Sequence, residues 1–306
     1  MTLLAVTPNP ALDRVVSVPH FRPLEVNRAV SHQVFAGGKG LNVARAVRNI
    51  GGDSLAAGLL GGMNGRRLAE LAEQDGQPAD WTFSDRIETR ICNIFVSDQG
   101  STVVNEPGDS VDQADWHRLV ADIQRIASTC AVVCISGSFP PGITSDHVAA
   151  MLQLLVLTRV PIWFDSSGEN LKAALKVKGV HLKINADELG AALKLPIHTV
   201  QDARIAAEAA RERTNAAVAV TMGKDGAILV CESGAFAAQP PPVQAINAVG
   251  SGDSALAGLA LTGASADGLR AAVAAGTANT LTGSGGAHFT REQYEALFAR
   301  TTITAL

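Results

Sequence analysis

A glycine-rich turn late in the sequence, Ala248-Val-Gly-Ser-Gly-Asp-Ser-Ala255, carries the clearest indication of chemistry in the chain. Its pattern predicts that Asp253 lies in the first turn of a helix that continues from Ser254 to Thr262. The two glycines allow backbone N–H groups to close on an anion, and the helix dipole adds positive potential there. A carboxylate beside such an anion site suits a reaction in which a hydroxyl loses its proton while a phosphoryl group arrives.

Two alternatives fit the same turn. A plain turn with an N-terminal helix cap uses the same residue types. The spacing Gly250-x-Gly252-x-x-Ala255 also fits the dinucleotide fingerprint of an NAD(P)-dependent oxidoreductase. That fingerprint expects an acidic residue about 20 residues further on, and Asp267 matches it poorly. The phosphoryl-transfer interpretation is favoured because a second glycine-rich element lies near the start of the chain.

That second element, Phe35-Ala-Gly-Gly-Lys-Gly-Leu-Asn-Val-Ala44, leads from a predicted strand into a predicted helix. Lys39 and Asn42 then lie at a helix N-terminus, which suits phosphate or sugar hydroxyls. The stretch is not a Walker A loop, because G-x-x-x-x-G-K-[ST] does not occur in the chain. Taken alone, it is also compatible with an ordinary glycine-rich turn.

Three charged residues near these elements suit a sugar phosphate. Asp13 follows the first predicted strand, where its carboxylate would accept hydrogen bonds from sugar hydroxyls, although a turn residue fits as well. Arg28 and Arg90 lie on two segments that we interpret as a β lid, where arginine suits bidentate phosphate contact, although each also fits an ordinary surface arginine.

Mid-chain, Leu182-Lys-Ile-Asn-Ala-Asp-Glu188 runs from a predicted strand into a helix. Asn185 and Glu188 share one helix face, and an amide with a carboxylate suits a Mg²⁺ that is held mostly through water and substrate phosphates. The same pair also fits a capping box. Further on, Val220-Thr-Met-Gly-Lys-Asp-Gly226 predicts a strand and a hairpin turn suited to nucleotide phosphates or ribose.

The elements that must position these residues alternate between short apolar runs and amphipathic stretches, which predicts an α/β fold with a mainly parallel sheet and helices on both faces. Ligands should then bind at the carboxyl ends of the strands. The predicted strands are Leu3–Val6, Leu55–Leu60, Ala131–Ser136, Pro161–Asp165, Leu182–Ile184 and Ala217–Thr221. The predicted helices are Asn42–Asn49, Arg66–Gln74, Gln113–Ser128, Asp146–Leu157, Val200–Arg213 and Gly268–Leu281.

Two segments, Arg14–Phe35 and Thr89–Glu106, alternate apolar and polar residues instead, as antiparallel strands with one exposed face do. We interpret them as a small discontinuous β lid over the carboxyl edge of the sheet; ordinary edge hairpins are the alternative. Pro240-Pro-Pro242 is predicted to be a rigid connector into a strand before Gly250.

Composition narrows the classes of partner. The 306 residues carry 25 Lys and Arg against 29 Asp and Glu, and this net charge of −4 argues against nucleic acid or an anionic membrane as partner. No apolar run approaches the ~18 residues of a membrane span. Cys92, Cys130, Cys134 and Cys231 lack zinc-ligand spacing, which predicts reduced thiols and a cytoplasmic location.

Taken together, these motifs resemble those of the ribokinase-like carbohydrate kinases, the phosphofructokinase-B family. The glycine-rich signature is matched by Gly37-Gly-Lys-Gly-Leu-Asn-Val-Ala44, the Asn-x-x-Glu motif by Asn185–Glu188, and the C-terminal Gly-x-Gly-Asp by Gly250–Asp253. The match runs in order over nearly all 306 residues. It implies a ribokinase-like three-layer α/β/α domain over residues 1–306, with a β lid at 12–35 and 86–107 through which two subunits pair as a homodimer.

The resemblance also implies a role for each matched residue. Asp253 would be the base, with Gly250, Ser251 and Gly252 as the anion hole. The sugar-phosphate side would comprise Asp13, Arg28, Gly38, Lys39, Asn42, Arg90 and Ser138. The side that binds ATP and Mg²⁺ would comprise Lys183, Asn185, Glu188, Thr221, Gly223, Gly226 and Asn279, with Glu188 holding the metal through water.

Thr89-Arg90, Ile135–Gly142 and Phe164-Asp-Ser-Ser-Gly168 resemble the branch of the family that phosphorylates sugar phosphates. The implied reaction is ATP-dependent phosphorylation of a ketohexose phosphate, with fructose 1-phosphate as the first choice. Lys39 fits the branches for fructose 1-phosphate and tagatose 6-phosphate, Cys92 is closer to the tagatose branch, and Asp165–Glu169 resembles the fructose 6-phosphate enzymes. A catalytically silent sugar-phosphate sensor remains an alternative from a different class, which the intact Asp253 disfavours.

Overall fold

The six strands predicted for the mainly parallel sheet all belong to one large sheet in the computed structural model, which describes residues 2–282 and 286–306. The strands are β1 Thr2–Thr7, β2 Ala11–Ser17, β3 Ser31–Gly37, β4 Asp53–Gly61, β5 Ala79–Ser84, β6 Arg90–Ser97, β7 Gly100–Asn105, β8 Val132–Ser136, β9 Ile162–Asp165, β10 Val180–Asn185, β11 Val218–Thr221, β12 Ala227–Cys231, β13 Gly234–Gln239 and β14 Thr302–Ala305. The helices are α1 Lys39–Ile50, α2 Gly62–Gln74, α3 Gln113–Ala127, α4 Ser145–Val156, α5 Gly168–Ala174, α6 Ala186–Leu193, α7 Val200–Thr214, α8 Ser251–Thr262, α9 Ala266–Thr280 and α10 Arg291–Arg300.

The large sheet has the order β14-β13-β12-β11-β10-β9-β8-β1-β4-β5. The neighbouring strands β11, β10, β9, β8, β1, β4 and β5 all pair in parallel. Strands β12, β13 and β14 add an antiparallel edge beside β11. The mainly parallel sheet predicted from the alternation of elements is therefore confirmed.

The apolar runs form buried strands because both faces of the sheet are covered. In β1, Leu3 and Ala5 pack into a core with α1, α2, α8, α9 and α10, whereas Leu4 and Val6 pack into a second core with α3 to α7. Burying a leucine or valine side chain contributes about 1.5–3 kcal/mol, and residues of one strand contribute in this way to both cores. The result is the expected three-layer α/β/α arrangement.

The two segments with alternating patterns form a separate four-stranded sheet of order β3-β2-β6-β7. Strand β2 pairs antiparallel with β3 and parallel with β6, which in turn pairs antiparallel with β7. All of β7 is exposed, as expected for a sheet with one solvated face. The small sheet is thus present; its action as a lid remains a prediction.

The prediction of a strand before Gly250 is wrong. A strand, β13, precedes the three prolines, and no strand lies between Pro242 and Gly250. The backbone N–H groups of Ile246 and Asn247 instead both donate to the carbonyl of Thr280, at 2.7 and 3.2 Å. The segment is therefore attached to the end of α9 rather than to the sheet.

All four cysteines are free, and Cys92, Cys134 and Cys231 are buried, in agreement with the reduced thiols expected from the sequence. None of the helices within residues 2–282 and 286–306 has both the length and the apolar character needed to cross a membrane.

Candidate active site

Most of the predicted site residues collect at the carboxyl ends of the central strands, as a mainly parallel sheet requires. A cavity of about 730 Å³ opens there between the first turn of α8 and the ends of β10 and β11. The predicted residues that line it are Lys39, Lys183, Asn185, Glu188, Thr221, Gly223, Gly226, Gly250, Ser251, Gly252 and Asp253. The glycine-rich elements from the two ends of the chain therefore meet at one site.

The Gly250–Asp253 turn forms the N-terminus of α8. Gly250 is the N-cap residue with φ +84°, a left-handed conformation that favours glycine. The N–H of Ser251 donates to the carbonyl of Ala248 at 3.1 Å and is occupied. Within the described residues, the N–H groups of Gly252 and Asp253 have no backbone partner. Two amides at a helix N-terminus are thus open toward an anion.

Asp253 is 5% exposed, and its Oδ2 accepts a hydrogen bond from Nδ2 of Asn42 at 2.9 Å. Burial raises the pKa of its carboxyl to about 6, and the nearby Asp165 adds to this, whereas Lys39, Asn42 and Lys183 act in the opposite direction. A carboxyl with such a pKa is ionised at neutral pH and is more basic than an exposed aspartate. Asp253 is therefore suited to accept a proton from a hydroxyl.

Asp165 is a functional candidate to which the sequence analysis gave no role. Its carboxylate is 1% exposed and lies between two lysines, with Lys183 Nζ 2.7 Å from Oδ2 and Lys39 Nζ 3.8 Å from Oδ1. Strand register brings it there, because Asp165 is paired with Ser136 and follows Phe164, which is paired with Leu182. Sequence motifs do not reveal the order of the strands in the sheet, and without that order Asp165 could not be placed beside the two lysines.

The sugar-phosphate candidates Asp13 and Arg90 lie where the small sheet joins the core. The register of β2 and β6 places Asp13 opposite Cys92, and burial raises the pKa of the Asp13 carboxyl to about 6 against the effects of Arg90 and Arg45. Arg90 donates to the carbonyls of Asn9 at 3.2 Å and Glu106 at 2.9 Å. Arg90 borders a second, small pocket beside Asn9 and does not line the main cavity.

Four other predicted residues do not line the main cavity. Arg28 lies in the exposed loop between β2 and β3, and Ser138 is exposed beside Asn9, whose Nδ2 is 3.5 Å from its Oγ. Gly38 is the N-cap residue of α1 and shapes the start of that helix. Asn279 is fully buried below the turn, where Nδ2 donates to the Val249 carbonyl and to Ser251 Oγ at 2.8 and 3.2 Å. Asn279 is thus a support of the turn.

On the opposite side of the cavity, Asn185 and Glu188 form the capping box that was the alternative interpretation of this pair. Asn185 Oδ1 accepts from the Glu188 N–H at 2.8 Å, and Glu188 Oε2 accepts from the Asn185 N–H at 3.4 Å. Glu188 also lines the cavity, so capping does not remove it from the site. Lys224, to which the sequence analysis gave no role, borders the same side.

The remaining wall of the cavity is apolar or small-residue surface, formed by Pro240, Pro241, Pro242, Val243, Ala272, Val273 and Gly276. Such a surface fits the flat face of a purine base. The dinucleotide-fold alternative is not supported, because its fingerprint requires a strand directly before the glycines, and no strand lies between Gln239 and Gly250. Within residues 2–282 and 286–306, no group of three or more His, Cys, Asp or Glu side chains is arranged to hold a metal ion.

Comparisons with known proteins agree with this geometry. Residues 9–291 match the family described as pfkB family carbohydrate kinase. The chain is 35% identical to the 1-phosphofructokinase of Escherichia coli K12 over 263 aligned residues. The aligned region covers 83% of this chain and 81% of that protein.

Two solved structures have the same fold. The tetrameric inhibited form of phosphofructokinase-2 from Escherichia coli superposes with a TM-score of 0.90 at 27% identity, covering 97% of this chain and 98% of the other. A putative phosphofructokinase from Staphylococcus aureus superposes with a TM-score of 0.85 at 29% identity, covering 100% and 99%. The predicted fold is thereby confirmed.

Proposed function

Because the chain belongs to the pfkB family of carbohydrate kinases, we propose that it transfers the γ-phosphoryl group of ATP to the C6 hydroxyl of fructose 1-phosphate, giving fructose 1,6-bisphosphate. The choice of sugar phosphate follows the curated relative with 35% identity, a 1-phosphofructokinase. The phosphofructokinase-2 of Escherichia coli, which has been solved with fructose 6-phosphate, is less similar to this chain, at 26% identity, so fructose 6-phosphate is not favoured over fructose 1-phosphate.

The observation that carries the proposal is the position of Asp253. Its buried carboxylate lies in the first turn of α8, where Gly252 and Asp253 line the cavity and their N–H groups have no backbone partner within the described residues. The C6 hydroxyl would give its proton to Asp253 as its oxygen attacks the γ-phosphorus, while the amides and Lys183 stabilise charge on the phosphoryl oxygens. Stabilisation of developing charge by preoriented donors is commonly the largest contribution to such a reaction.

The sugar phosphate would lie between the start of α1 and the small sheet. Lys39 is half-exposed at the entrance, with its Nζ 3.8 Å from Asp165, and the Asp165 carboxylate is the main cause of the raised pKa of Lys39. Arg90 is held by two backbone carbonyls, and its Nη2 has no partner within the described residues. Since the protein is net acidic, these local cations would supply the charge that a sugar phosphate needs.

Replacing Arg90 by alanine is expected to raise KM for fructose 1-phosphate by about 10-fold to 100-fold, since each lost charge-assisted hydrogen bond costs roughly 1.5–3 kcal/mol. KM for ATP should change little. Arg28→Ala is the matched control, because it removes the same charge from an exposed loop of the same small sheet. Steady-state kinetics with each substrate varied would test this; equal effects of the two substitutions, or an effect of Arg90→Ala on ATP alone, would contradict the assignment.

ATP would occupy the larger part of the cavity, with its base on the apolar wall and its phosphates near Lys183 and the N-terminus of α8. Mg²⁺ would enter with the phosphates, where it neutralises their charge. Glu188 fits an outer, water-mediated contact to the metal, because its carboxylate lines the cavity while Oε2 also accepts from the Asn185 N–H.

Replacing Glu188 by glutamine is expected to raise the Mg²⁺ concentration needed for half-maximal activity, because an amide binds a hydrated cation more weakly than a carboxylate does. Glutamine retains the capping contact to Asn185, so the melting temperature should not change. Asp187→Asn is the control: it makes the same change in the same first turn of α6, on a side chain that does not line the cavity. A titration of activity with Mg²⁺ at fixed ATP that is unchanged in Glu188→Gln would show that Glu188 acts only as a cap.

We further propose that the small sheet closes over bound sugar phosphate and pairs with that of a second subunit. Val96, Val103 and Val104 on β6 and β7 are 37%, 43% and 51% exposed, and this apolar surface favours a partner that covers it.

We also propose a reducing compartment such as the cytoplasm, where ATP is available, because all four cysteines are free.

A coupled assay of ADP release tests the proposed substrate. Fructose 1-phosphate, fructose 6-phosphate, tagatose 6-phosphate and free fructose would be compared at equal concentration with ATP. The highest kcat/KM is expected for fructose 1-phosphate and the lowest for free fructose, which has no phosphate for Lys39 and Arg90. Higher kcat/KM for another sugar phosphate would transfer the proposal to that substrate, and no turnover with any of them would leave a sensor.

A further inference from the structure

Arg45 is a buried arginine on α1 that contacts several neutral oxygens. Its Nη1 donates to Asn42 Oδ1 at 3.2 Å and to the Gly286 carbonyl at 2.9 Å, and its Nη2 donates to the Ala36 carbonyl at 3.1 Å. The side chain of Arg45 is 14% exposed, and the carboxylate of Asp75, with which it pairs at 3.4 Å, is half-exposed. Removing a charged guanidinium from water costs free energy, and the hydrogen bonds that Arg45 makes must offset this cost.

The contact with Asn42 fixes which end of the Asn42 amide faces the reaction site. A guanidinium only donates hydrogen bonds, so the amide oxygen must face Arg45. The amide nitrogen then faces the opposite way, and Nδ2 donates to Asp253 Oδ2 at 2.9 Å. A reversed amide would place its oxygen against the Asp253 carboxylate, where two acceptors repel each other. Arg45 therefore determines the hydrogen bond that Asp253 receives, although it is not itself in contact with Asp253.

On the basis of the proposed function, we infer that Arg45 is a positioning residue for phosphoryl transfer: by holding the Asn42 amide, it keeps Asp253 Oδ2 bound and leaves Oδ1 directed at the substrate hydroxyl. Asn42 thus acts as a support of Asp253, in addition to any contact that it makes with the sugar.

The other two contacts of Arg45 involve the remaining parts of the site. The Ala36 carbonyl belongs to β3, at the point where the small sheet meets α1. Gly286 lies against the anion-binding turn, since a Cβ placed on Gly250 would be 2.9 Å from the Gly286 nitrogen. One guanidinium therefore connects the small sheet, the segment behind the turn and, through Asn42, the base.

The pH dependence of kcat separates this role from a purely structural one. The charged groups that face Asp253 are Lys39 from α1, Asp165 from β9 and Lys183 from β10, and its hydrogen bond from Asn42 lowers the pKa of its carboxyl. Loss of the hydrogen bond from Asn42 should raise the pKa of the Asp253 carboxyl. On acidification, Asp253 would then become protonated at a higher pH than in the wild type, and kcat would begin to fall at that higher pH. Because Arg45 also faces Asp13, kcat is measured at saturating sugar phosphate, where Asp13 is covered.

A double-mutant cycle tests the inference. Arg45→Met and Asn42→Ala are each expected to lower kcat by about 10-fold to 100-fold and to move its acid limb to higher pH, as for a lost hydrogen bond to a charged group. The double variant should be no worse than the more impaired single variant, because both remove the same contact. Asp75→Asn is the control, since it removes the carboxylate partner of Arg45 without touching Asn42, and kcat should be unchanged.

Multiplicative losses in the double variant, or an unshifted acid limb in Arg45→Met, would overturn the inference. If thermal denaturation of Arg45→Met shows no cooperative unfolding transition, Arg45→Lys replaces it in the same cycle. Lysine keeps the charge without the planar fork, so this cycle also distinguishes a positioning role from a purely structural one. Turnover of fructose 1-phosphate by the unmodified protein is measured first. Its absence would contradict the proposed function, whereas normal turnover with multiplicative losses would contradict the role of Arg45 alone.

Discussion

Replacing Asp253 by asparagine is expected to lower kcat by about 10²-fold to 10⁴-fold, the usual contribution of a general base. Asparagine keeps the size of the side chain and an oxygen for the Asn42 contact, but it cannot take a proton. Binding of sugar phosphate, measured by calorimetry without ATP, should be retained. Asp267→Asn is the control, because it makes the same change in the first turn of α9 on a side chain that is 71% exposed.

The pH profile gives a second readout for the same variant. Burial raises the pKa of both Asp253 and Asp13 to about 6. Each must be ionised to act, so wild-type kcat/KM should fall as pH decreases through this value, and the two carboxyl groups add ~2 to the limiting slope on logarithmic axes. In Asp253→Asn one of these groups is gone, and the slope should be smaller than that of the wild type by ~1, because the substrate phosphate, which titrates near pH ~6, contributes equally to both. Near-wild-type turnover, or an unchanged slope, would exclude Asp253 as the base.

Replacing Gly250 by alanine is expected to lower kcat by about 10²-fold to 10³-fold, comparable to the loss of an oxyanion-hole donor. The residue has φ +84°, and a Cβ would be 2.9 Å from the backbone nitrogen of Gly286. Because that neighbour is backbone, the turn itself must move, and the amides of Gly252 and Asp253 would no longer point at the transferred phosphoryl group.

Gly263→Ala provides the matched control at the other end of α8. Gly263 also has a positive φ, +95°, but a Cβ there would have no atom within 4 Å. Both variants should unfold at lower temperature, since the conformation is strained for any side chain. Only Gly250→Ala should lose kcat. Equal kcat in the two folded variants would mean that the turn does not stabilise the transition state.

Sequence patterns predicted much of the fold because each buried strand is apolar on both faces. Leu3, Leu4, Ala5 and Val6 form a short apolar run, and a strand covered by helices on both faces of the sheet buries all four. The segment after Pro242 was predicted wrongly because local composition does not reveal a partner elsewhere. Its amides bond to Thr280, a contact made only when the chain is folded.

The candidate site could be predicted where local geometry creates the chemistry. A glycine turn before Asp253, or an asparagine three residues before Glu188, forms its structure from neighbouring residues alone. Asp165 and Arg45 depend on strand order and on contacts between distant segments, so their roles emerge only from the folded chain. The substrate contacts of Asp13 and Arg90 remain predictions that the proposed kinetics would test.

The most direct test of the proposed function is identification of the product by ³¹P NMR. The protein would be incubated with ATP, Mg²⁺ and fructose 1-phosphate, and the phosphorus resonances followed with time. We expect ADP to form together with an equal amount of a new phosphate monoester coupled to the C6 protons of the sugar. ADP with inorganic phosphate and unchanged fructose 1-phosphate, or a phosphate at another carbon, would contradict the proposed reaction.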